Sequence, residues 1–127
     1  MGMFHYYDIG ISELFIFDEF LINQIREGES VEPEHNQLLQ DVIEKHFENK
    51  PVVYITNRIN SYAVNPLTYL GTVKIEKLSA FAVVANTKIQ REGANFERQF
   101  YNKPFEIFDT LGEAIAWSNT ILKELSK

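Results

Sequence analysis

Two short runs constrain this chain more than anything else in it. Val52-Val53-Tyr54-Ile55-Thr56 and Ala80-Phe81-Ala82-Val83-Val84 are apolar or β-branched at consecutive positions. A strand with one wet face alternates apolar and polar residues, so an unbroken run predicts a strand covered on both faces. Such strands belong to parallel sheets, whose connections cross over through helices. The flanking segments have the matching helical period. Leu38, Leu39, Val42, Ile43, His46 and Phe47 recur at spacings of three and four, predicting a helix over about 34–48. Glu32 and Pro33 suit its start, and Asn49-Lys50-Pro51 stops it.

The same signals continue to the C-terminus. Asn65 can cap a helix with Pro66 in its first position and Leu67, Tyr69, Leu70 and Val73 along it. Thr87 and Gln90 have the spacing of a capping box, which predicts a helix over about 87–101. Its stripe of Ile89, Gly93, Phe96 and Phe100 is expected to be buried, with Glu92 and Glu97 on the solvent side. Pro104 ends it, and Phe105-Glu106-Ile107-Phe108 reads as a last strand. Thr110 and Glu113 repeat the capping spacing, with Asp109 as a further cap candidate. A terminal helix follows, lined by Leu111, Ala114, Ile115, Ile121, Leu122 and Leu125.

Upstream of these, residues 4–9 and 13–17 are aromatic and β-branched, with Gly10 between them as a turn. A third run, from Phe20 to Arg26, follows a connection as short as Asp18-Glu19, which only an antiparallel hairpin can use. The expected fold is α/β: a mixed, mostly parallel sheet with an N-terminal antiparallel hairpin and about four helices, in a single domain over 1–127.

The segment Phe105-Glu106-Ile107-Phe108-Asp109-Thr110-Leu111-Gly112-Glu113-Ala114-Ile115-Ala116-Trp117, a strand leading through phenylalanine and aspartate into an amphipathic final helix, resembles the STAS superfamily in its SpoIIAA-like branch. The likeness extends over roughly 4 to 125. It implies a mixed sheet with helices around it, a non-enzymatic role in regulation or binding, and a distant structural kinship with lipid-binding CRAL-TRIO domains. Regulatory members carry an aspartate-serine-serine type motif ahead of the helix after the central strand, where a kinase phosphorylates a serine. Here that stretch reads Asn57-Arg58-Ile59-Asn60-Ser61-Tyr62. Ser61 stands in about the right place as a phosphorylation candidate, but no acidic residue precedes it and no second serine adjoins it.

Charge and composition narrow the function classes. Twelve basic and eighteen acidic residues leave a net charge of -6, which repels phosphate backbones, so no nucleic-acid partner is expected. The chain has no cysteine, and its three histidines, His5, His35 and His46, lie far apart, so no metal or cofactor site is expected. Neither a leader peptide nor a membrane-spanning stretch is legible, so a cytoplasmic location without membrane insertion is expected. Aromatic residues Phe4, Tyr6, Tyr7, Phe15, Phe17 and Phe20 could form a platform for bases, but Asp8, Asp18 and Glu19 among them favour a packing role.

Ligands of α/β sheets gather at the carboxyl ends of parallel strands, which makes the polar and aromatic loop 57–65 the expected working surface. Asn57, Asn60, Asn86 and Thr87 can donate and accept hydrogen bonds there. Arg58 could grip a carboxylate or phosphate in fork geometry, Ser61 adds a hydroxyl, and Tyr62 could stack on a ligand. No set of base, stabiliser and pocket can be assembled from spacing, and G-x-S-x-G, P-loop and G-x-G-x-x-G motifs are missing, so no catalytic residue is expected. The expected function is a non-catalytic module that binds a protein partner or a small anionic ligand, with a homodimer as a further possibility. An apolar-ligand carrier with an aromatic-lined cavity under its helices is the alternative, and an enzyme the third reading.

Overall fold

Strand patterning in the sequence decides how the layers form. In the computed structural model, which describes residues 5–48, 50–59 and 62–125, six strands make one sheet in the order β1-β2-β3-β5-β7-β8. The N-terminal strands β1 (His5–Asp8), β2 (Ser12–Ile16) and β3 (Phe20–Ile25) are antiparallel neighbours. From β3 onward, β5 (Val52–Asn57), β7 (Leu78–Val84) and β8 (Phe105–Phe108) pair in parallel. The hairpin joining β2 and β3 closes with Phe17 N–H donating to the Phe20 carbonyl at 3.0 Å across Asp18-Glu19. Gly10, at the turn before β2, takes φ 93°, which a side chain would resist.

Consecutive residues of the central strands supply both faces, as their composition predicts. Val52 and Tyr54 enter one core with Leu78, Phe81 and Val83, while Val53 and Ile55 enter the other with Ala80, Ala82 and Val84. Helices α1 (His35–His46), α2 (Thr68–Thr72) and α3 (Lys88–Arg98) contribute Leu39, Ile43, Tyr69 and Ala94 to the first core. Helix α4 (Leu111–Leu125) covers the second with Ala114 and Leu122. Burying a Val or Ile side chain contributes about 1.5–3 kcal/mol, so the two runs anchor both layers. Phe15, Phe17 and Phe20 pack against the α4 core and Tyr7 against the other, so these aromatics serve packing. Phe4 lies outside the described residues.

Two features depart from the sequence reading. Loop 57–65 is not a plain loop. It contains β6 (Ala63–Val64), which pairs in parallel with β4 (Ser30–Val31) as a second small sheet. Side chains tie the pair down: Asn65 Nδ2 donates to Glu32 at 3.0 Å, and Ser30 Oγ donates to the same carboxylate at 2.5 Å. These bonds, Ser30 first, hold the Glu32 carboxyl below its ordinary pKa.

The second correction concerns α3. Ile89 and Phe96, expected in the core, are 83% and 55% exposed, whereas Glu97, expected in water, is buried. The line toward the core instead runs through half-buried Gln90 and buried Ala94, Glu97 and Tyr101, the same spacing displaced by one residue. One position is about 100° of helix, so the helix sits turned by that angle. Ala94 is small enough to lie against the sheet, and Glu97 meets a cation there.

Candidate functional site

The carboxyl ends of β5 and β7 meet the start of α3, and the backbone carries the sheet one step further: Arg58 N–H donates to the Val84 carbonyl at 3.0 Å. Beyond that bond lies a cleft of about 280 Å³, lined by Asn57, Arg58, Ile59, Asn86, Thr87 and Gln90 together with Val84. Four predicted residues therefore share one concavity. Thr87 caps α3 by accepting the Gln90 N–H at 3.2 Å. The first helical bond, Arg91 N–H to the Thr87 carbonyl at 2.9 Å, leaves the amides of Lys88 and Ile89 ahead of the ladder at the positive end of the helix. Asn57 Nδ2 donates to Gln24 Oε1 at 3.0 Å, and Gln90 Oε1 is buried without a partner.

Arg58 does not offer its fork to this cleft. Nη1 donates to Glu97 Oε2 at 3.0 Å, Nη2 contacts Oε1, and the two side chains are only 8% and 9% exposed. Tyr69 donates its phenol to the same Oε1 at 2.6 Å, and burial followed by the Glu97 charge holds that phenol well above its ordinary pKa, so it stays a donor. The Arg58 guanidinium also lies 5.3 Å from the centre of the Tyr62 ring. A charge expected to meet a ligand is thus matched inside the protein, because only the folded chain brings α3 to the end of β5.

Tyr62 faces away from the cleft group. Its hydroxyl is 3.0 Å from Thr56 Oγ1, and burial raises its pKa. With Tyr54, Tyr69 and Phe81 it lines a second, smaller cavity of about 50 Å³ under α1 and α2. Asn60 and Ser61 lie outside the described residues. Ile59 and Gln90 join the cleft without having been singled out for it. The capping spacing of Thr87 and Gln90 was a usable signal for the latter, since it places Gln90 in the first turn beside Thr87. Among the described residues no three His, Cys, Asp or Glu side chains cluster as metal ligands, and no helix is long and apolar enough to cross a membrane.

No family model matches the sequence, and no curated protein is significantly similar to it. Among solved structures the chain is similar to an uncharacterised protein of the DUF3478 family from Shewanella loihica PV-4, described as having a SpoIIAA-like fold. The two share 11% identity over 91% of each chain, with a TM-score of 0.53. At that identity the likeness speaks for architecture, and it agrees with the strand order and helix placement above: the chain has a SpoIIAA-like fold.

Proposed function

We propose that this chain is a non-catalytic STAS-type binding module that takes a protein partner at the cleft between the ends of β5 and β7 and the start of α3. One observation carries the reading. A single cleft combines the amide side chains of Asn57, Asn86 and Gln90 with Ile59, which is 64% exposed, and it adjoins Ile89, 83% exposed in the first turn of α3. Large aliphatic side chains beside hydrogen-bonding groups are the usual make-up of a protein contact. The unbonded amides of Lys88 and Ile89, with no acidic residue in that turn, favour an acidic side chain on the partner.

Chemistry finds little support in the same place. Among the described residues the cleft lining holds no His, Cys, Asp, Glu, Lys or Tyr, and the one ionisable group among them, Arg58, is engaged by Glu97. Those described residues supply no general acid or base. The apolar-carrier alternative is not favoured either, since drug-sized ligands occupy about 300–1,000 Å³ and the cavity beneath the helices is about 50 Å³.

A photo-crosslinking residue placed at Ile59 tests the proposal in the cell of origin. The expected result is a discrete crosslinked partner that is lost in Ile89→Asp with the melting temperature unchanged. Leu38→Asp, at a position on α1 that is 43% exposed, should retain it. Equal crosslinking in wild type, Ile89→Asp and Leu38→Asp would refute the assignment of this surface.

A further inference from the structure

The outer face of α3 complements a copy of itself. Ile89 is 83% and Phe96 55% exposed, and the side chains of Lys88 and Glu92 are 90% and 65% exposed. At about 100° of turn per residue, these four lie around the helix in the order Ile89, Phe96, Glu92, Lys88 and together span about 100° of its surface. The buried Ala94 and Glu97 lie on the opposite side. Within one chain Lys88 and Glu92 approach only to 4.0 Å, and so exposed a contact contributes little, so both charges can re-pair at low cost. Apolar side chains that stay in water beside such charges mark a contact surface.

Spacing and charge decide what fits. A two-fold axis crossing α3 at the level of Gln90 sets two copies antiparallel and keeps each flank of the helix on its own side. Lys88 and Glu92 stand equally far before and after Gln90, so each Glu92 comes level with the partner's Lys88 and two symmetric ion pairs form along one flank. On the other flank Ile89 meets the partner's Ile89, offset by about 3 Å along the axis. Phe96 overshoots the partner's first helical residue, Lys88, by about 6 Å and covers the mouth of the partner's cleft, where Ile59 is 64% exposed. A parallel pair would instead set Lys88 against Lys88 and Glu92 against Glu92. An anionic lipid surface is opposed by Glu92 in the middle of the face and by the net charge of -6.

We propose that the partner taken at the cleft is a second copy of this chain, docked antiparallel along α3. The inference rests on the cleft reading above and completes it. The second copy's Glu92 supplies the acidic side chain favoured at the start of α3, and its Phe96 supplies the apolar cover for Ile59. Two helices of 11 residues bury less than a permanent interface does, so the dimer is weak and depends on concentration.

Sedimentation of the purified full chain at concentrations up to about 1 mM, where even millimolar affinities show, should reveal a monomer–dimer equilibrium. Ile89→Asp should abolish it, and Leu38→Asp on α1 should leave it unchanged. Lys88→Glu and Glu92→Lys each set like charges across the axis and should each weaken the dimer about tenfold. The double exchange, Lys88→Glu with Glu92→Lys, restores both pairs and should recover it, with melting temperatures in dilute solution unchanged throughout. Glu92→Lys is the sharpest arm. It lowers the net negative charge, so general repulsion between copies falls, and only a specific pair with Lys88 makes the variant associate less. A chain monomeric at about 1 mM, a dimer indifferent to Ile89→Asp, or tighter association in Glu92→Lys would each overturn the proposal. The crosslink at Ile59 separates it from the reading it rests on. A different protein captured there by a chain that stays monomeric sinks the second copy and keeps the cleft, whereas a dimer indifferent to Ile89→Asp with no crosslink at Ile59 sinks both.

Discussion

Helices α3 and α4 announce themselves in nearly the same way and settle in opposite ways. Each opens on a threonine followed three residues later by a glutamine or glutamate, and each carries an apolar stripe at helical spacing. In α4 the stripe meets the sheet: Ala114 and Leu122 are buried, with Ile115, Trp117 and Ile121 packed around them over the small residues Ala80 and Ala82. Its cap is reciprocal, Glu113 N–H donating to Thr110 Oγ1 while Glu113 Oε1 accepts from Thr110 N–H. In α3 Ile89 and Phe96 face water while Phe100 is only partly buried against the core, and the side toward the sheet carries Ala94 and the Glu97 carboxylate. Periodicity thus reveals that a helix has two sides, but a strong ionic partner in the core can select the polar one. Here that partner is Arg58, which would otherwise be buried without a counter-charge.

Removing the partner is the strongest way to break this contrast. Glu97→Ala should cost about 3–5 kcal/mol in a denaturant titration, since it leaves the Arg58 guanidinium buried and unpaired. Glu97→Gln, which keeps hydrogen-bonding oxygen and shape, should cost less. A loss under about 1 kcal/mol in Glu97→Ala would mean that the ion pair does not set the orientation of α3.

A matched pair of truncations sharpens the same point. Leu122→Ala on α4 should cost about 2–5 kcal/mol, toward the lower end because the site lies near the limit of burial. Phe96→Ala on α3, which removes the larger side chain, should stay within about 0.5 kcal/mol, because Phe96 is 55% exposed and contacts Phe100 edge-on at 5.4 Å. The reverse ranking in urea titrations would return the predicted stripe of α3 to the core.

The smallest effect is a pH dependence that should leave the contrast between the helices untouched. Burial, then His5 and Lys45, hold the His46 imidazole below its ordinary value of 6.5. The folded state therefore favours neutral His46, whose contribution is complete above the unfolded pKa and is lost as pH falls from about 6.5 through the lowered value. His46→Gln should flatten the wild-type decline of the melting temperature in that window, while Phe96→Ala should show the wild-type slope. An identical slope in His46→Gln would remove His46 as its source.

Much of the fold was legible because its signals are local. The runs at 52–56 and 80–84 are interior strands, the two-residue link at 18–19 is a hairpin, and Thr87 and Thr110 stand where their helices begin. Of the candidate site, Asn57, Asn86 and Thr87 were within reach because strand ends and helix starts mark the place where such folds concentrate hydrogen-bonding groups. Arg58 lines the same cleft, but its guanidinium fork meets Glu97.

Each feature that escaped joins residues distant in sequence. Val31 and Val64 pair across 33 positions to make the β4–β6 sheet from two-residue segments too short to show a period. Arg58 and Glu97 are 39 apart. Local sequence determined which of the longer segments are strands and helices and where α3 and α4 begin, because dihedral preference, capping and periodicity act within a few residues. Only the tertiary structure decided which side of α3 faces the sheet and where the Arg58 charge is matched, since these depend on long-range contacts and on the cost of burying a charge alone.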